Sequence, residues 1–255
     1  MKIMKNFISA IFAAMVLIPV LCIGGRIFQY HSENTKLKQV AEIAAEYTVH
    51  EPAVSLNSQT ELEMESFMDI NGLKTENADV VGFVEIPGTI VSYPVMKSEE
   101  ADYYIRRGFD KKRSIYGSIY MDNACYENGA NTVLYGHNMK SGKMFGTLRH
   151  YMDAAYREEH KEIRYITDDR IECYDVCAVF LASAADQDLI KNLIPYTKEE
   201  MENLQNYIAN HQGVFMDEFA WGDRLLTLAT CEYTRKDGRL FVIGKLKDTI
   251  IRKES

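Results

Sequence analysis

Along the chain the period of apolar positions changes twice. Lys2 and Lys5 are followed by a stretch without a charged residue from Asn6 to Gly25, which Arg26 closes. At about 1.5 Å per residue, such a helix reaches across a hydrocarbon core of about 30 Å. It is longer than the apolar region of a cleaved leader, and "LCIGGRIF" lacks an A-x-A-like cleavage site. A retained signal anchor over residues 6–25 is expected. Lys2, Lys5 and the terminal amine would keep residues 1–5 in the cytoplasm and put the remainder outside. Next, Leu37, Val40, Ala41, Ile43, Ala44 and Tyr47 recur at helical spacing, predicting a stalk helix that Pro52 follows. The text after it reads as a linker and then a second amphipathic helix carrying Leu62, Phe67, Met68 and Ile70. Residues 26–70 are thus expected as a helical stalk, 71–250 as the main domain and 251–255 as a tail.

Beyond Asn71 the period shortens. "VVGFVEI", "TIVSYPVM", "GSIYM", "NTVLYG", "IRYIT", "IECYDVCAVFLAS", "RLLTLAT" and "RLFVIGKL" are short β-like runs separated by turns. They predict a mostly β domain, a closed or nearly closed barrel with added helices. Two helical insertions interrupt it. "GKMFGTLRHYMDAAY" sets Phe145, Leu148, Tyr151 and Met152 on one face. "PYTKEEMENLQNYIANH" opens with Thr197 and Glu200 as a capping box and carries Met201, Leu204, Tyr207 and Ile208.

Composition narrows the function. A hydrophobic content of 47% over 255 residues supports a sizeable core, and a net charge of -8 argues against nucleic acid as a partner. The five cysteines show no C-x-x-C and no Cys/His spacing of a zinc site, and no acidic run resembles a calcium loop. No metal or cofactor is expected. Cys22 falls in the anchor and Cys125 in a polar loop. Cys173 and Cys177, on one strand, would sit roughly 13 Å apart, too far for a disulfide. An exported free thiol at Cys231 therefore needs a reason.

The hairpin "TLATCEYTRKDGRLFV" suggests one. If strands 224–231 and 239–246 flank the loop, Cys231 and Arg239 oppose each other and project to one face. A guanidinium near a thiol favours the thiolate and can hydrogen-bond an oxyanion formed beside it. A proton carrier is also required, and of the six histidines His137 follows a strand, "NTVLY", through Gly136. His31 and His50 belong to the stalk, while His150, His160 and His211 stand in polar helical text. On chemistry alone, a core thiol with a surface histidine and a surface arginine remains an open alternative.

"TLATC", with Arg239 eight residues beyond Cys231 in "GRLFVIGKL", resembles the signature of the sortase family, and "NTVLYGHNM" resembles its histidine motif. V-G-x-x-x-I-P-G-T, Y-P-V, Y-Y-I and G-S-I-Y-M-D upstream are similar to class B sortases, so the likeness covers about residues 70–247. The resemblance implies an eight-stranded β-barrel with N-terminal helices and a helix between the sixth and seventh strands. It implies a membrane-anchored cysteine transpeptidase on a Gram-positive cell surface that cuts an N-P-x-T-type or related sorting signal after Thr. The acyl group would pass to an amine of peptidoglycan or a pilin. It makes Cys231 the nucleophile, His137 the acid and base, and Arg239 the oxyanion and substrate partner. Ile105, Tyr135, Ala229, Thr230 and Glu232 would line the peptide groove. Ala229 stands where class B chains often carry serine, and Ala101 where many carry asparagine. A papain-like hydrolase lacks its C-G-x-C-W text here, and a non-catalytic surface-binding domain would leave Cys231 dispensable.

Overall fold

The computed structural model describes residues 2–57, 63–126, 129–210, 213–231 and 237–252, with backbone alone for 2–14, 16, 63, 213 and 214. The chain divides into two compact units, Met1–Glu42 and Ile43–Ser255.

The described residues of the first unit lie within one continuous helix, α1 (Lys2–Glu46), which runs the expected anchor and stalk helices together. Met15, Leu17, Ile18, Leu21, Ile23, Ile27 and Phe28 on it are exposed. Among the described residues, no helix is long and apolar enough to cross a membrane. Much of the expected anchor, the side chains of residues 6–14 and 16, lies outside those residues.

In the second unit the strands are β1 (Thr48–Ser55), β2 (Glu63–Met68), β3 (Val80–Glu85), β4 (Ser92–Met96), β5 (Ile119–Met121), β6 (Asn131–Tyr135), β7 (Glu162–Ile166), β8 (Arg170–Ser183), β9 (Gly213–Met216), β10 (Leu225–Cys231) and β11 (Gly238–Arg252). The helices are α2 (Ile70–Glu76), α3 (Ala154–Glu159), α4 (Gln187–Asn192) and α5 (Lys198–Asn210). Eight strands close a ring in the order β3, β4, β5, β6, β10, β11, β8, β7, because β8 pairs with β11 on one side and β7 on the other. All eight expected runs fall on these strands. The barrel's sixth and seventh strands are β8 and β10, so α4 and α5 occupy the expected insertion.

The predicted helix after the linker is corrected by the structure. Residues 48–55 and 63–68 form an antiparallel pair, with Val49 opposite Phe67 and Pro52 opposite Met64, and β1 continues onto the end of β11. Glu and Met favour helix in isolation, but ladder pairing and burial of Phe67 and Met68 decide the conformation. Only α2 remains helical there, capped by the Asp69 side chain on the Gly72 N–H. The insertion at 142–156 is likewise not one helix. It is a 3-10 turn, Gly146–Met152, followed by α3, whose start Asp153 caps. The box predicted on α5 forms as expected: Glu200 N–H donates to Thr197 Oγ1 at 3.2 Å, and Thr197 N–H donates to Glu200 Oε2 at 3.1 Å.

Helices α4 and α5 cover the outer face of the wall made by β6, β10, β11 and β8. Leu189, Leu193, Met201, Leu204 and Ile208 pack on Val133, Phe180, Leu225, Ala229, Phe241 and Ile243. Phe180 and Phe241 stack with ring centres 4.9 Å apart. Ala229 near the end of β10 belongs to that cluster and Tyr135 at the end of β6 packs against it, and the chemistry gathers beside them.

Candidate active site

Three strand ends meet beside that cluster. In the β10–β11 ladder Cys231 lies opposite Arg239 and Ala229 opposite Phe241, while the parallel β6–β10 ladder sets Tyr135 beside Ala229. Period-two alternation puts Tyr135, Ala229, Cys231, Arg239 and Phe241 on one face. They line a cleft of about 460 Å³ with Gly136, His137 and Thr230. Leu189, Ile190 and Leu193 form one bank, and Asp102, Ile105, Tyr120, Asp122 and Asn123 another.

His137 owes its place to a set of bonds between its neighbours and β10. Gly136 N–H donates to Ala229 O at 3.1 Å, Thr230 Oγ1 to Gly136 O at 2.7 Å, and Asn138 Nδ2 to Cys231 O at 2.7 Å. Three successive residues of β10 are thus tied to the two residues that flank His137. Gly136 is required by space, since a Cβ would fall 2.5 Å from Ile119 Cδ1 and 2.7 Å from Phe145 Cδ2. The His137 carbonyl accepts from Phe145 N–H at 3.0 Å, so the residue is held on both sides.

Burial, followed by the Arg106 and Arg239 guanidiniums, holds the His137 imidazole below its ordinary pKa of 6.5, against the Ile105 carbonyl, which favours the proton. The ring is neutral at pH 7. The thiols sort by environment as well. Cys125, Cys173 and Cys177 are buried, and burial first of all pushes them up to about 11, 12 and 12. Those three are packing groups. Cys22 is exposed on α1, and Cys231 is half-buried in the cleft.

The other expected residues fall unequally. Ile105 lines the cleft and is 38% exposed. Tyr135 also lines it, and its hydroxyl donates to Asp122 Oδ2 at 2.9 Å. Thr230 is buried, with its hydroxyl spent on the Gly136 carbonyl, so that side chain links strands. Ala229 is a buried part of the floor. Glu232 lies outside the described residues. Sequence reasoning missed Asn138, which stood beside the chosen histidine in "GHNM", and also Tyr120, whose hydroxyl donates to Asp102 Oδ1 at 2.7 Å. Among the described residues, no group of three or more His, Cys, Asp or Glu could hold a metal ion.

Comparison with known proteins places this geometry. Residues 84–247 match the family model described as the sortase domain. The chain is 30% identical to sortase B of Listeria monocytogenes, over 95% of this chain and 98% of that protein. Among solved structures it is similar to Clostridium perfringens sortase B, at 26% identity and a TM-score of 0.63, covering 70% of this chain and 99% of that one. It is also similar to Staphylococcus aureus sortase B in a substrate complex, at 25% identity and a TM-score of 0.62, covering 72% and 85%. With the domain match spanning the barrel and sortase B recurring among both relatives and structures, this chain belongs to the sortase family, and within it to class B.

Proposed function

We propose that this sortase transpeptidase uses Cys231, His137 and Arg239 to cut an N-P-x-T-type or related sorting signal after Thr and to pass the acyl group to an amine of peptidoglycan or a pilin. The observation that carries the reading is the direct pairing of Cys231 with Arg239 in a cleft that His137 also lines. The Cys231 sulfur attacks the Thr carbonyl while His137 takes the thiol proton. Arg239 donates to the oxyanion that develops. An imidazolium disfavoured by burial and two guanidiniums is a stronger acid than usual, so it readily protonates the departing amine as the C–N bond breaks. The thioester remains. An incoming amine then attacks it, gives its proton to the neutral imidazole and displaces the thiolate, which recovers a proton.

The groove assignments follow from the cleft wall. Ile105 and Tyr135 contact the peptide, Ala229 leaves room beneath it, and Thr230 acts through the strand link. Glu232 is kept as a groove residue on the family resemblance alone. Localisation belongs to the same proposal. Sortases are cell-surface enzymes, and here residues 6–25 anchor the chain as a single pass, with 1–5 cytoplasmic and the catalytic unit outside. The charge-free stretch between Lys5 and Arg26 and the exposed apolar side chains of α1 support this.

The test is to incubate the protein with a library of sorting-signal peptides and a peptidoglycan-type or pilin-type amine. Wild type is expected to give the amide-linked product and Cys231→Ala none. Product formed by Cys231→Ala, or no cleavage of any peptide by wild type, would sink the reading.

A further inference from the structure

We propose that the turn Tyr103–Arg106 is the positioning device of His137: its Ile105 carbonyl holds the Nε2 hydrogen and thereby commits Nδ1 to every proton exchange in the cleft. This deepens the reading of His137 as the proton carrier and rests on it.

The geometry begins with one short contact, His137 Nε2 to Ile105 O at 2.6 Å. A carbonyl oxygen only accepts, so the hydrogen resides on Nε2 and the lone pair of the neutral ring on Nδ1. The opposite tautomer would press a lone pair against the carbonyl oxygen. When the ring is charged, Nε2 keeps the same partner, and the carbonyl stabilises that state too. Only Nδ1 changes protonation through the cycle.

The device works only if the carbonyl itself cannot drift, and the turn is braced from several sides. Ile105 N–H donates to Asp102 O at 3.0 Å, and Ser118 N–H donates to Tyr104 O at 3.1 Å. Tyr104 is buried. Its hydroxyl donates to Asp79 Oδ2 at 2.6 Å and accepts from Asn77 Nδ2 at 3.2 Å. Gly117 closes the brace from beneath. Its φ is +58°, and a Cβ there would stand 2.6 Å from Ile105 O and 2.8 Å from Tyr104 O. Any larger residue would displace the very oxygen that holds the imidazole. Ile105 therefore has two separate roles, a side chain that walls the cleft and a main-chain oxygen that sets the ring.

The test labels histidine with 15N in the full-length protein and records long-range ring correlations at pH 8, where the ring is neutral. His137 is expected as the Nε2–H tautomer. A ring carrying its hydrogen on Nδ1, or averaging equally between the two, overturns the proposal. Gly117→Ala is expected to shift the ring toward mixed tautomers and to lower kcat roughly tenfold or more, with KM for the peptide within about twofold. Tyr104→Phe loosens the brace without adding bulk and carries the test if Gly117→Ala does not fold. Its expected effects are smaller and in the same direction. Wild-type tautomer and kcat in every variant that folds would overturn the brace. His137→Ala separates the two readings. Retained activity removes the proton carrier itself, whereas lost activity with an Nδ1–H ring in the wild type removes only the positioning device.

Discussion

Arg239 stands in two relations at once. It is paired with Cys231 across the hairpin, and its charge is among those that lower the His137 pKa. Removing the guanidinium with Arg239→Gln should therefore do two separable things. The rate, kcat/KM, should fall on the order of 10² to 10³, the cost of losing an oxyanion donor, while the His137 pKa rises. A ring titration by NMR reads the second effect apart from the first. Arg106→Gln tests it in isolation: it should move the pKa upward with a far smaller change in rate. The sign for pH follows from the same shift. With a folded pKa below the unfolded 6.5, the unfolded state binds more protons as pH falls. The contribution of His137 to stability is then full above about 6.5 and is lost as pH drops through the folded value. The acidic limb of kcat/KM should accordingly lie below pH 6.5 in wild type and shift toward it in Arg106→Gln. At this scale the convergence of Cys231, His137 and Arg239 on one cleft was legible because a motif fixes residue types at fixed spacing. Asn138, Asp102 and Gly117 were not, since their roles depend on which loop carbonyl or hydroxyl arrives beside them.

At the scale of elements, the site depends on parts that do not touch the substrate. Helix α5 does not line the cleft, yet Met201, Leu204 and Ile208 share one apolar cluster with Leu189 of α4 and with Leu193 just past its end, both of which do. The capping box at its start should contribute about 1 kcal/mol. Thr197→Ala is expected to lower Tm by about 2–4 °C, read by thermal denaturation, with kcat per folded molecule unchanged. This box could be read directly from Thr197 and Glu200 because a cap is a local interaction. The eight barrel strands were legible for a related reason: β-rich apolar runs bounded by turns have no other way to bury themselves. Strands β1, β2 and β9 were not. Glu63, Met64 and Glu65 favour helix in isolation, and β9 has only the four residues Gly213–Met216, too few to show a period. What makes β1 and β9 strands is a partner distant in sequence, β11 and β8 respectively, while β2 takes its form from β1, the strand just before it.

Considered as a whole, the molecule separates what holds the barrel shut from what reacts. Cys231 ends β10, and the opposite end of that strand is tied down by a buried carboxylate on β8. Glu172 is 2% exposed and receives Arg170 Nε at 2.9 Å, Arg224 Nη2 at 2.8 Å and the Tyr174 hydroxyl at 2.7 Å. Arg224 directly precedes β10, so the carboxylate ties β8 to the start of β10, and the Arg224 carbonyl, which accepts from Leu246 N–H at 2.8 Å, carries the tie on to β11. Breaking a buried ion group by removing one member typically costs about 3–5 kcal/mol. The lower end applies here, because both guanidiniums keep some contact with water and are not left fully stranded. Glu172→Ala should therefore cost about 3 kcal/mol and lower Tm by roughly 6–12 °C. The cleft is some six residues away along β10, about 20 Å at strand rise. Thus kcat measured well below the new Tm should stay within about twofold of wild type, whereas Gly117→Ala changes kcat through the imidazole itself. If Glu172→Ala lowered kcat as strongly as Gly117→Ala does, in protein shown to be folded, the two ends of β10 would be mechanically coupled and this separation of roles would be wrong.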